Sequence, residues 1–177
     1  MKFVRILTGI MLAVLFTVQP VLAEEKPGLS EAKKGSISQN CSSIRQSLKN
    51  LQRVDSRIRV LLGTSYNTIL TNFITPLNLR LVRDNKPNVV LSNLQSDFAG
   101  SKDTFSKRFI SYSQSMEELV AMDCKNNPEG FYNKLIETRK LRINVTESVN
   151  EMRGITNRHI ETIQYIKNSL KKEANDV

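Results

Sequence analysis

The residues best suited to chemistry here are one histidine, His159, two cysteines, Cys41 and Cys124, and two carboxylate pairs. The pairs are Glu117-Glu118 and Glu147 with Glu151. Structural or catalytic zinc needs three or four suitable ligands. One imidazole and two thiols do not supply them, least of all if the thiols pair with each other. Iron–sulfur ligation fails on cysteine number. No Gly-x-Ser-x-Gly elbow exposes a nucleophile for His159 to activate. No phosphate-cradling or dinucleotide glycine motif occurs either. Glycoside hydrolysis needs two acids flanking one cleft. Adjacent acids on a helix are more often solvated or paired with Lys and Arg. The sequence therefore predicts no enzyme, no catalytic residue, no metal and no cofactor, with a carboxylate-based hydrolase as a weak alternative. The lone His159 reads as a packed or surface residue.

The basic residues carry more information. The chain has 26 Lys plus Arg against 17 Asp plus Glu, a formal net charge of +9. Arg45, Lys49, Arg53 and Arg57 follow at four-residue steps and make one stripe on a helix. Like charges at that spacing repel, so something should compensate them. One destination is an ion-pair seam with Glu117, Glu118 and Asp123. The other is a surface for anions such as lipid headgroups or envelope polymers. Arg139, Lys140 and Arg142 form a second cluster. Aromatics do not alternate with these charges in a base-stacking pattern, so sequence-specific nucleic-acid binding is not expected.

Leu62 to Asn78 is rich in Thr, Ser and Asn but carries no charge. These residue types are neutral to poor helix formers. An uncharged polar face points to partial burial, against another helix of the chain or against a partner. Tyr66, Asn72 and Phe73 are the candidate partner contacts in this stretch.

The elements that must position these groups read as helices. Ile37 onward places apolar or small residues at 37, 41, 44, 48, 51, 58, 62, 66, 69 and 73, at steps near the coiled-coil repeat. Pro76 predicts a kink or end near Thr75. Asp84 to Asn88 is a turn. A second tract, about 89–123, carries Leu91, Leu94, Phe98, Phe105, Phe109, Tyr112, Met116 and Leu119 on one face. Asn127 suits a helix N-cap and Pro128 the first helical position. A third tract runs from Pro128 to about Lys172. The expected fold is all-α, an elongated up-down-up antiparallel three-helix bundle with a kinked first helix. At 1.5 Å per residue, helices of this length make a rod about 60 Å long. Gly63, Gly100 and Gly154 fall at similar heights, which reads as a waist, a notch, or plain tolerance.

The ends set the compartment. Lys2 and Arg5 precede the uncharged, mostly apolar run Ile6–Val18, then Pro20 and Val21-Leu22-Ala23. That is the order of a secretory signal, cleaved near Ala23. The run is short for a membrane anchor. Loss of Lys2 and Arg5 takes the net charge from +9 down by two. Residues 24–36 read as a flexible polar tail, 37–172 as one helical domain, and 173–177 as a frayed end. An even cysteine count in an exported chain predicts the disulfide Cys41–Cys124. A hairpin turning near residue 86 brings the two within about one helical turn of the same level. The expectation is an exported, non-enzymatic binding, scaffolding or chaperone-like module at the cell envelope. Its partner would be another protein or an anionic envelope component. Peripheral contact with an anionic membrane is the alternative, and self-association is open.

Overall fold

The computed structural model describes residues 28–86 and 88–175. Residues 1–23, expected as a signal segment, residues 24–27, Pro87 and residues 176–177 lie outside that description. Among the described residues every regular element is helical. They are α1 (Glu31–Gln39), α2 (Cys41–Thr68), a π-helical segment (Ile69–Ile74), α3 (Thr75–Arg83), α4 (Val89–Ala121) and α5 (Pro128–Asn175).

The tail expected over 24–36 is helical from Glu31 onward. Apolar patterning could not show this, because α1 buries no residue. Polar contacts hold it instead. Lys34 pairs with Glu31 and with Glu129 of α5, each at 3.0 Å. The Ser38 hydroxyl donates to the Lys125 carbonyl at 2.8 Å. The chain breaks at Asn40, whose side-chain amide donates to the Ser36 carbonyl at 2.9 Å. At the other end α5 continues to Asn175, past the expected limit near Lys172.

Pro76 sits in the first turn of α3. Its ring crowds the carbonyl of residue 72 and it has no N–H to donate there. The preceding six residues adopt the wider i→i+5 winding of a π-helix. That winding shifts which face looks inward. The expected stripe position Phe73 is 64% exposed, and its neighbour Ile74 is buried in its place. The buried positions then continue through Asn78 and Leu81.

The stripe predicted for the second tract is buried along its whole length, from Leu91 to Leu119. Its side chains divide between two hydrophobic clusters. One gathers Tyr66, Ile74, Leu81, Leu91, Phe98 and Met152 among others. The other gathers Leu48, Phe109, Met116, Leu119, Cys124 and Phe131. On α5 the buried residues include Phe131 and Met152. Thr138, Ser148, Ile155 and His159 are buried as well, while Ile160 and Ile163 are exposed.

Side-chain contacts fix the directions. Arg45, Asp55, Asn67 and Asn78 meet Val120, Tyr112, Lys102 and Leu91 in turn. Ser101, Arg108 and Ser115 meet Glu151, Asn144 and Thr138. Each step forward on one helix is matched by a step backward on its neighbour. α4 packs against both α2 and α5, with α4–α5 the most extensive interface. No Cα of α2 lies within 8 Å of a Cα of α5. That seam is crossed by side chains and contains open grooves.

The turn into α5 follows its sequence signals. Asn127 Oδ1 accepts from the Gly130 amide at 3.0 Å, capping the helix at its third residue. Cys41 and Cys124 are bonded, with their Cα atoms 5.5 Å apart. The bridge ties the start of α2 to the segment just after α4.

Candidate functional site

Asp55 is buried on α2, in the gap of the expected stripe between positions 51 and 58. It is 7% exposed. Its carboxylate accepts from Tyr112 Oη at 2.6 Å. It also accepts from Arg142 Nε at 2.8 Å and Nη2 at 3.1 Å. Burial pushes the Asp55 carboxyl up, but the bonds from Arg142 and Tyr112 outweigh it and hold the group below the usual carboxylate range. Burial, and then the Asp55 bond, raise the Tyr112 phenol well above its ordinary value. Arg142 was expected at an anion-contact surface. It is committed instead to an internal carboxylate, and it is the polar link across the α2–α5 seam.

The four-residue stripe on α2 divides. Arg45 is half-buried and donates from Nε to the Val120 carbonyl at 3.2 Å. Lys49, Arg53 and Arg57 are exposed, and among the described residues none makes an ion pair. The expected ion-pair seam with Glu117, Glu118 and Asp123 does not form. Glu118 faces Lys134 of α5. Asp123 caps the turn, accepting from the amides of Lys125 and Asn126. Glu117 accepts from Ser113 at 3.4 Å.

Lys49, Arg53 and Arg57 line an open groove of about 970 Å³ between α2 and α4, together with Val60, Leu61 and Glu117. Val60 and Leu61 are each about two-thirds exposed. Val54 and Ile58 add further exposed apolar surface to the same helix. The groove thus sets unpaired cations beside uncovered apolar side chains. Arg59, which the four-residue spacing does not include, stacks over the Phe109 ring at 5.5 Å. Arg139 and Lys140 are exposed on α5. Lys140 lines a separate pocket beside Gly28, Lys33 and Tyr132. The two basic clusters do not merge into one surface.

The uncharged stretch also divides. Tyr66 was expected as a partner contact but is buried, edge-on to Phe98 and Phe105. Asn72 and Phe73 are exposed. Asn78 is buried and donates to the Leu91 carbonyl and to Gln95 Oε1, at 3.1 and 2.6 Å. Gln95 in turn donates to Thr75 Oγ1 at 3.1 Å. Burial against the chain itself accounts for Asn78 and, in part, for Thr68 and Thr75, while Thr64, Ser65, Asn67, Thr71 and Asn72 are exposed.

His159 is packed, 4% exposed, with Phe98 edge-on to its ring. The carboxylate pairs make structural contacts. Glu147 pairs with Arg108 at 3.8 Å, and Glu151 accepts from Ser101 at 2.9 Å. Among the described residues no group of three His, Cys, Asp or Glu side chains is placed to hold a metal ion. No described helix is long and apolar enough to cross a membrane. Comparison with protein-family models, curated proteins and solved structures finds no match.

Proposed function

We propose that this chain is an exported, non-enzymatic helical rod, an up-down-up antiparallel three-helix bundle, that binds another protein at the cell envelope. It would act there as a scaffolding or chaperone-like module. The observation that carries this reading is the α2–α4 groove, where Lys49, Arg53 and Arg57 stand unpaired beside Val60 and Leu61. Uncovered apolar surface rimmed by charge is the usual character of an interaction site. Its chemistry fits a segment carrying carboxylates and apolar side chains in turn. Export is supported by the order Lys2-Arg5, Ile6–Val18 and Ala23, and by the cysteine pair, which suits an oxidising compartment.

The test is capture from envelope extracts at low and high salt. The wild-type chain is compared with Arg53→Glu/Arg57→Glu and with Arg139→Glu/Lys140→Glu. The expected result is a saturable partner, weakened by salt and by the first double variant only. Co-sedimentation with anionic but not neutral vesicles, lost in the same variant, would replace the protein partner with a membrane surface. Equal capture by wild type and Arg53→Glu/Arg57→Glu rules out the groove.

A further inference from the structure

A smaller cavity lies between the π-helical segment and α3 on one side and α5 on the other. Its volume is about 250 Å³. Ile69, Phe73 and Leu77 form one wall, and Ile160 and Ile163 of α5 form the other. No charged side chain lines it. Among the described residues, two buried side-chain atoms lack any hydrogen-bond partner, Asn78 Oδ1 and His159 Nε2. Both residues line this cavity, and both are more than nine-tenths buried.

Both orphaned atoms are acceptors. The Asn78 amide nitrogen spends its hydrogens on Leu91 and Gln95, which identifies the bare atom as the carbonyl oxygen. His159 Nδ1 lies 3.3 Å from the Ile155 carbonyl. That contact places the ring proton on Nδ1 and leaves the Nε2 lone pair free. Burial holds the imidazole below its ordinary value, so the neutral ring prevails. A buried acceptor without a donor forfeits the hydrogen bond it made to water. Two on the lining residues of one apolar cavity are a standing demand for a donor. Part of the wall is the π-helical segment, and such segments are frequent at functional sites.

From these features we infer that the cavity binds a small apolar molecule bearing a hydrogen-bond donor, such as a phenol or a short alcohol, with Asn78 Oδ1 and His159 Nε2 as its acceptors. An apolar cavity of about 150 Å³ holds benzene, so a molecule on the order of ten non-hydrogen atoms fits here. The site is distinct from the basic α2–α4 groove and does not depend on it.

His159 is the chain's one histidine, so its imidazole nitrogen resonances are unambiguous. The oxidised protein is titrated with p-cresol and, separately, with 4-methylanisole, which keeps the ring and oxygen but has no donor. The expected result is a saturable shift of the Nε2 signal with p-cresol, and binding about tenfold tighter than 4-methylanisole. His159→Phe keeps an aromatic ring in the core and should abolish that preference. Ile163→Trp fills the cavity from its exposed rim and should abolish binding of both probes at an unchanged melting temperature. The inference is overturned by equal affinity for the two probes, by the absence of a saturable Nε2 shift, or by a bound water at Nε2 that p-cresol does not displace. A tenfold preference that survives in His159→Phe overturns it as well.

Discussion

The Arg142 guanidinium of α5 grips the Asp55 carboxylate of α2 through two nitrogens, at 2.8 and 3.1 Å. The two partners are unequal. The Arg142 side chain is 49% exposed and the Asp55 side chain 9%. Removing Arg142 strands a buried carboxylate on Tyr112 alone, whereas removing Asp55 leaves a cation that still reaches water.

Arg142→Met should therefore destabilise the protein more than Asp55→Asn, by on the order of 3 kcal/mol at neutral pH. Urea unfolding checks it. The wild type and Arg142→Met should also respond oppositely to acid. In the wild type the folded-state value of Asp55 is depressed. Its stabilisation is present above the unfolded carboxylate value and fades as pH falls through the folded one. In Arg142→Met burial is no longer offset by Arg142, so the folded value rises. The deficit then shrinks as pH falls and Asp55 takes up a proton. A deficit independent of pH would contradict this account.

Cys41 and Cys124 are separated by 83 positions, and their bridge closes the whole of α2 through α4 into one loop. The chain-entropy argument gives such a closure about 4.5 kcal/mol. Reduction, or Cys41→Ser with Cys124→Ser, should lower the urea midpoint without changing the helical circular dichroism of the folded protein. An unchanged midpoint would mean the reduced chain is already held as tightly by α4 packing on α2.

A Cβ added at Gly63, Gly100 or Gly154 would meet nothing within 4 Å. None of the three is required for close helix contact. Each Gly→Ala change should stabilise the protein by up to about 1 kcal/mol. In melting temperature that is roughly 3 °C apiece for a chain of this size. Gly130 behaves differently, because a Cβ there would fall within 2.9 Å of three Asn127 side-chain atoms. Gly130→Ala should instead destabilise the start of α5.

Asn127 itself caps α5 through the Gly130 amide. Asn127→Ala should cost about 1 kcal/mol, and Asn127→Asp should restore most of it. Thermal melts of the three proteins, with hydrogen exchange of the first α5 amides, distinguish cap loss from a global effect.

The α4 stripe, the cap at Asn127-Pro128, the break at Pro76 and the cysteine partnership are legible in the linear chain. The first three follow from local physics, and the fourth from the chain having just two cysteines to pair. Spacing near 3.6 sorts one helix into faces, a side-chain acceptor stops a helix start from fraying, and proline cannot donate. The α1 helix escapes that reasoning because ion pairs with Glu129, distant in sequence, hold it in place of an apolar face.

What each face meets is not local, and there the tertiary structure decides. Arg142 and Arg53 look alike as basic residues, yet one faces the buried Asp55 and the other stands open in a groove. Phe73 and Ile74 exchange roles because the π-helical winding turns the helix face at that point. Tyr66 is core because Phe98 and Phe105 are there to receive it. Asn78 and His159, 81 positions apart, become two acceptors on one cavity only when α3 and α5 stand across the same seam. The sequence by itself determined the long helices and the inward face of α4 through short-range periodicity. The sites arise between helices, where the energy of each side chain depends on partners that no window along the chain contains.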